Sequence, residues 1–107
     1  MRRFGQVIGI DPARAAEYER LHAAVWPGVL TTIRACNIRN YSIFRHADRL
    51  FAYFEYIGDD YEADMARMGE DPVTREWWAV VGPMQEALPD RAGGEWWHTI
   101  PEVFHVD

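Results

Sequence analysis

Cysteine is nearly absent: Cys36 is the only one in 107 residues. An internal disulfide, a thiolate metal cluster and a resolving thiol are therefore excluded, and a reducing, cytoplasmic setting is expected. Positive charge is also in short supply. Eleven Lys and Arg face seventeen Asp and Glu for a net charge of −6, which leaves no electrostatic footprint for phosphate backbones or anionic lipid. Nucleic acid and membrane are thus not expected as partners. Long apolar runs are missing as well, since the stretch from Val7 to Ile10 behind Arg2 and Arg3 is too short for a signal-peptide core or a membrane span. The four histidines, His22, His46, His98 and His105, show no metal-ligand spacing, no glycine-rich phosphate loop is present, and nothing beside Cys36 marks an activated thiol. A metal is therefore not expected. The length fits one domain spanning residues 1–107, large enough to bury a core.

Aromatic residues, in contrast, are abundant at 14%. An apolar run through Val7 and Ile10 reads as a strand, closed by Asp11-Pro12, a capping residue followed by a proline suited to the first helical turn. From Ala13 to about Ala35, Tyr18, Leu21, His22, Val25, Trp26, Val29 and Ile33 recur at three- and four-residue spacing, which predicts an amphipathic helix. Pro27 interrupts it, and a bend or one-turn break is expected there. Ile38–Phe44 and Leu50–Ile57 read as a hairpin, with Ile38, Asn40, Ser42 and Phe44 on one face and Tyr41 and Ile43 on the other. A polar helix over Asp59–Gly69 follows, then a helix opened by Asp71-Pro72 and carrying Trp77 and Trp78. Pro89–Gly94 reads as a loop and Ile100–Val106 as a closing strand. This order predicts an α+β, ferredoxin-like split βαβ domain, an antiparallel sheet with helices on one face. The other face, rich in Phe and Tyr, is expected to be hidden by a second copy, giving a homodimer.

Tyr18, His22 and Trp26 stand at i, i+4 and i+8 and stack a phenol, an imidazole and an indole on one helical side. Imidazole titrates nearest neutrality, so His22 is a candidate proton carrier; the alternative is a histidine that only hydrogen-bonds at the core edge. Trp77 and Trp78 point about 100° apart on a helix, so both cannot enter one layer. One of them is expected to line a groove or an interface. Indole faces suit the C–H face of a sugar, although core packing and dimer contact are equally ordinary uses. Trp96-Trp97 beside Gly93-Gly94 reads as loop packing or a pocket lid.

Taken together, Tyr18-(three residues)-His22-(three residues)-Trp26-Pro27, Asn40-Tyr41-Ser42-Ile43, Trp77-Trp78 and Glu102-Val103-Phe104 resemble the L-rhamnose mutarotase family nearly end to end. That resemblance implies a ferredoxin-like domain paired as a dimeric α/β barrel. It also implies cofactor-free interconversion of the α and β anomers of a 6-deoxy sugar. His22 matches the family's catalytic histidine, Tyr18 and Tyr41 its sugar-binding tyrosines, and Trp77 and Trp78 its adjacent tryptophans. The chain departs from the family at Ala87–Gly94 and Trp96-Trp97, where rhamnose enzymes typically carry an Asn-Pro-Asp-Asn-Ser-Pro-like stretch. L-Fucose is therefore carried as an alternative substrate. A second reading from another class is a monooxygenase-like or apolar-ligand-binding protein of the same dimeric layer, its aromatics lining a deep pocket.

Overall fold

A computed structural model describes all 107 residues. Strand β1 (Arg2–Ile10) ends at Asp11, whose carboxylate accepts from the Ala13 N–H and starts a short 3₁₀ turn. Helix α1 (Ala15–His22) and helix α2 (Pro27–Ala35) are separated by four residues, 23–26. The break expected at Pro27 is therefore a full restart. Pro27 occupies the first position of α2, where a missing N–H costs no helical bond. Trp26 consequently lies outside the periodic helix face on which its spacing had placed it.

The hairpin of β2 (Ile38–His46) and β3 (Arg49–Tyr56) turns at Ala47-Asp48. Helix α3 (Tyr61–Glu70) is capped by Asp60, which accepts from the Ala63 N–H, and α4 (Pro72–Val81) by Asp71, which accepts from both the N–H and the hydroxyl of Thr74. Two short strands close the chain, β4 (Gln85–Glu86) and β5 (His98–Ile100). All pairings are antiparallel in the order β2-β3-β1-β4, with β5 beside β1 on the same edge as β4. β4 can pair there because Gly9 has no side chain: a Cβ would stand 2.7 Å from the Glu86 carbonyl oxygen.

The helices cover one sheet face, as the ferredoxin-like reading requires. Ile8, Ile10 and Leu50 of the sheet meet Tyr18, Val29, Trp77, Val81 and Met84 in the main core. A second cluster of Ile38, Phe54 and Tyr56 lies under α3. There Asp64 accepts from the Tyr56 hydroxyl, from Asn37 Nδ2 and from Arg67, tying the helix to the end of the sheet. Burial is the main driving term, about 1.5–3 kcal/mol for each large apolar side chain.

Two expectations change. The closing strand is only three residues long, because Pro101 has no N–H to continue the ladder; Val103, Phe104 and Val106 beyond it are exposed. The tail is held instead by Glu102, which accepts from Arg3 at 2.9 and 3.1 Å. The simple alternation predicted for β2 also fails. Arg39 pairs with Glu55 and Ser42 with Tyr53, so Asn40 and Tyr41 together oppose Phe54 in a one-residue bulge. Asn40 takes the left-handed conformation at φ 50°. The inserted residue moves Tyr41 and Ile43 onto the face of Ile38, beneath the helices, and turns Phe44 outward.

Asn40→Val is expected to cost about 1–2 kcal/mol of stability, the penalty for a branched side chain in left-handed backbone, while Asn40→Gly changes it little. Urea unfolding of both variants measures the difference.

Candidate active site

The bulge and the helix break together open a cleft of about 760 Å³ between α2, α4 and β2. His22, Tyr41, Trp77, Trp78, Trp96 and Trp97 contribute most of its polar and aromatic wall. Four of the five residues singled out from the sequence, His22, Tyr41, Trp77 and Trp78, line this space. Tyr18 does not. It lies behind His22, facing a smaller adjoining pocket of about 250 Å³ that His22 also lines.

His22 is in the last turn of α1, and its Nδ1 is 2.8 Å from the Tyr18 carbonyl oxygen one turn back. A carbonyl only accepts, so Nδ1 carries the proton and Nε2 keeps its lone pair. The imidazole stacks on the Tyr18 ring at 4.0 Å and meets the Trp77 edge at 5.1 Å; Trp26 rejoins the group by its own 5.1 Å contact with Trp77. Desolvation in this aromatic setting pulls the His22 pKa below 6.5, and the bond to the Tyr18 carbonyl opposes that shift only in part. At neutral pH the ring is therefore a neutral base with one free nitrogen.

Trp77 is buried in the core, whereas Trp78 is 46% exposed and stands at the mouth of the cleft. The expected 100° divergence thus separates a packing indole from an open one, and both touch the cavity. Tyr41 packs against Phe54 at 5.6 Å. Its residue surface is 42% exposed toward the cleft, yet its hydroxyl is set deep, and desolvation, followed by the nearby Tyr18 and Tyr61, pushes its pKa up. Gln85 carries no motif and was missed by the sequence reading. It is a buried amide that accepts from Trp96 Nε1 at 2.7 Å and donates to the Tyr18 hydroxyl at 3.1 Å. A lone glutamine before a proline-containing loop gives no periodic or spacing signal. No helix is long and apolar enough to cross a membrane.

A ferredoxin-like layer whose cleft holds a neutral imidazole among aromatic rings defines the class, a small α+β protein with a cleft of ligand size. The L-rhamnose mutarotase family model matches residues 3–106, and the chain belongs to that family. It is 36% identical to an L-fucose mutarotase of Xanthomonas campestris pv. campestris over 97% of this chain and 87% of that protein. It is 30% identical to an L-rhamnose mutarotase of Oceanobacillus iheyensis over the full length of both. Among solved structures, an L-rhamnose mutarotase from Formosa agariphila superposes with a TM-score of 0.78 at 19% identity, covering 100% of both chains. A type-II polyketide cyclase, tetracenomycin F2 cyclase from Streptomyces glaucescens, shares the fold at a TM-score of 0.67 and 21% identity, covering 99% of this chain and 96% of that one.

The lowered His22 pKa has a linkage consequence. Below pH 6.5 the unfolded chain binds the imidazole proton before the folded one does, so stability falls as pH drops from 6.5 toward the folded value. An NMR titration is expected to find His22 titrating below 6.5. His22→Gln should flatten this part of the stability profile against pH.

Proposed function

We propose that the protein is a mutarotase that interconverts the α and β anomers of a 6-deoxy hexose, with L-rhamnose as the first substrate to test. One observation carries the reading: His22, its Nε2 without a partner in the chain, lines a largely apolar cleft whose wall includes the rings of Tyr41, Trp77, Trp78, Trp96 and Trp97. Mutarotation takes a proton from the anomeric hydroxyl and delivers one to the ring oxygen as the C1–O bond opens; the aldehyde rotates, and the reverse transfers close the ring. No metal or redox group is needed for that sequence. His22 serves as the acid/base, Tyr41 orients sugar hydroxyls from the cleft wall and Tyr18 from the adjoining pocket behind His22, and Trp77 and Trp78 take the C–H face and the C6 methyl. L-Fucose remains the alternative substrate, supported by the relative at 36% identity and by Trp96 and Trp97 standing in the cleft wall. The polyketide cyclase of the same fold motivates an apolar-ligand reading, but the imidazole and the Tyr41 phenol at one cleft favour a polyol.

Saturation-transfer NMR between the two anomers tests the activity, with exchange above the buffer rate expected for L-rhamnose or L-fucose. Absence of such exchange for every 6-deoxy hexose tried would overturn it. His22→Ala should lose about 10²-fold or more of the enzymatic rate while staying folded. The two tryptophans separate: Trp78→Ala should raise KM at little cost in stability, whereas Trp77→Ala removes a core side chain and should cost about 3–5 kcal/mol.

The homodimer belongs to the same proposal. Phe44 at 63%, Phe51 at 39% and Ile100 at 38% exposure line the uncovered sheet face, a concentration of apolar surface that a second copy would hide. A cytoplasmic setting agrees with Cys36, which is buried and free. Sedimentation should find a dimer at micromolar concentration, and Phe51→Glu should shift it toward monomer.

A further inference from the structure

Gln85 is one of two polar side chains buried in the protein, and its hydrogen bonds join the loop that carries Trp96 to the helix that carries His22. Its amide lies between two groups of unequal freedom. The indole N–H of Trp96 can only donate, so the end of the amide that faces it at 2.7 Å must be the oxygen. Nε2 then faces Tyr18 at 3.1 Å, and the Tyr18 hydroxyl must accept. Trp96 thus decides the polarity of a bond in which it takes no part.

The consequence falls on the Tyr18 proton. A phenol that accepts from the protein still has its own O–H to give. The bond from Gln85 is the only one the hydroxyl makes, and no carbonyl or carboxylate of the chain takes its proton. Tyr18 is 3% exposed and borders only the smaller pocket that His22 shares with the main cleft, so the acceptor it lacks within the chain has to come from a molecule in that space. A buried donor without an acceptor is costly, and such a donor beside a ligand cleft points to an acceptor supplied by the ligand. The Tyr18 ring stacks on His22 at 4.0 Å, and the Trp96 ring that sets the amide lines the main cleft.

We propose that Gln85, oriented by Trp96, is a positioning residue that frees the Tyr18 phenolic proton for an oxygen of the substrate beside His22. The ligand at this point is then a hydrogen-bond acceptor, a sugar hydroxyl or ring oxygen, and a deoxy position there would be bound poorly. The inference rests on the mutarotase reading for its substrate, and on the structure alone for the direction of the two bonds.

Gln85→Glu tests the polarity with almost no change of shape. The introduced carboxyl group accepts from Trp96 in both of its protonation states. The neutral acid still donates to Tyr18, as the amide does, whereas the carboxylate only accepts and claims the Tyr18 proton for itself. With anomer exchange of the wild type measured first, the ratio of Q85E to wild-type kcat/KM is expected to fall about tenfold between pH 5.5 and 9, while the thermal midpoint stays near that of the wild type. His22 is titrated by NMR in both proteins, so that any shift the new carboxylate causes in it is separated from the effect on Tyr18. On a Tyr18→Phe background, Q85E should add nothing further, as expected of two residues acting through one bond. A ratio near one at all pH values, or additive losses in the double variant, would overturn the assignment. If Q85E does not fold, ¹⁵N NMR of the full chain decides: Tyr18→Phe should shift the Gln85 side-chain amide protons, and an unshifted pair overturns the proposal. A wild type without exchange on any 6-deoxy hexose counts against the functional reading instead, and the NMR comparison then tests Gln85 independently.

Discussion

The bond between His22 Nδ1 and the Tyr18 carbonyl is the contact on which the site depends, because it settles where the imidazole proton sits. Its acceptor is a carbonyl one turn back in the same helix, and His22 is the last residue of α1. In a helix continued through Trp26, the side chain would be one more member of a packed stripe. With the helix ended and restarted at Pro27, the ring lies at a terminus, folded back over Tyr18, with its other nitrogen left to the cleft. The tautomer is thus set within one turn of α1, and the restart at Pro27 places that turn at the edge of the cleft.

The bulge in β2 is the second determinant. A strand with unbroken alternation would place Tyr41 on the same face as Arg39, away from the helices, and the cleft would lose its deep phenol. One inserted residue, with Asn40 in left-handed backbone, reverses the face of everything from Tyr41 onward. Asparagine tolerates that conformation better than most residues, and its side-chain amide is further held by Glu55 at 2.7 Å. The same reversal turns Phe44 onto the open face beside Phe51 and Val7, so one irregularity shapes both the ligand cleft and the apolar surface on the opposite side.

Around these two features, the aromatic content divides by function. Tyr18 and Trp77 are core residues that also hold His22, Tyr18 by stacking on the imidazole and Trp77 by an edge contact. Trp78, Trp96 and Tyr41 are partly open and give the cleft its walls. A large proportion of aromatic residues in so short a chain reflects this double use: the rings that shield the imidazole from water also lower its pKa and leave it neutral in the cleft wall.

Periodicity and spacing were enough to find the strand-helix-hairpin-helix order, the break at Pro27, the caps at Asp11 and Asp71, and the association of Tyr18 with His22, because each of these is settled within one or two turns of local chain. Four residues apart on a helix is a contact whatever the rest of the protein does. What the tertiary structure decided lies at longer range. The pairing of Phe54 with both Asn40 and Tyr41 is a property of two strands, so it reverses a face without any change in the residues that alternate. The shortness of β5 reflects Pro101 meeting a ladder that only β1 provides. Tyr18 and Gln85 are separated by 67 positions, and no pattern in either segment announces the other. Local sequence determined which groups could do chemistry; packing decided which face, which tautomer and which hydrogen-bond direction they take, because those depend on neighbours brought in from distant parts of the chain.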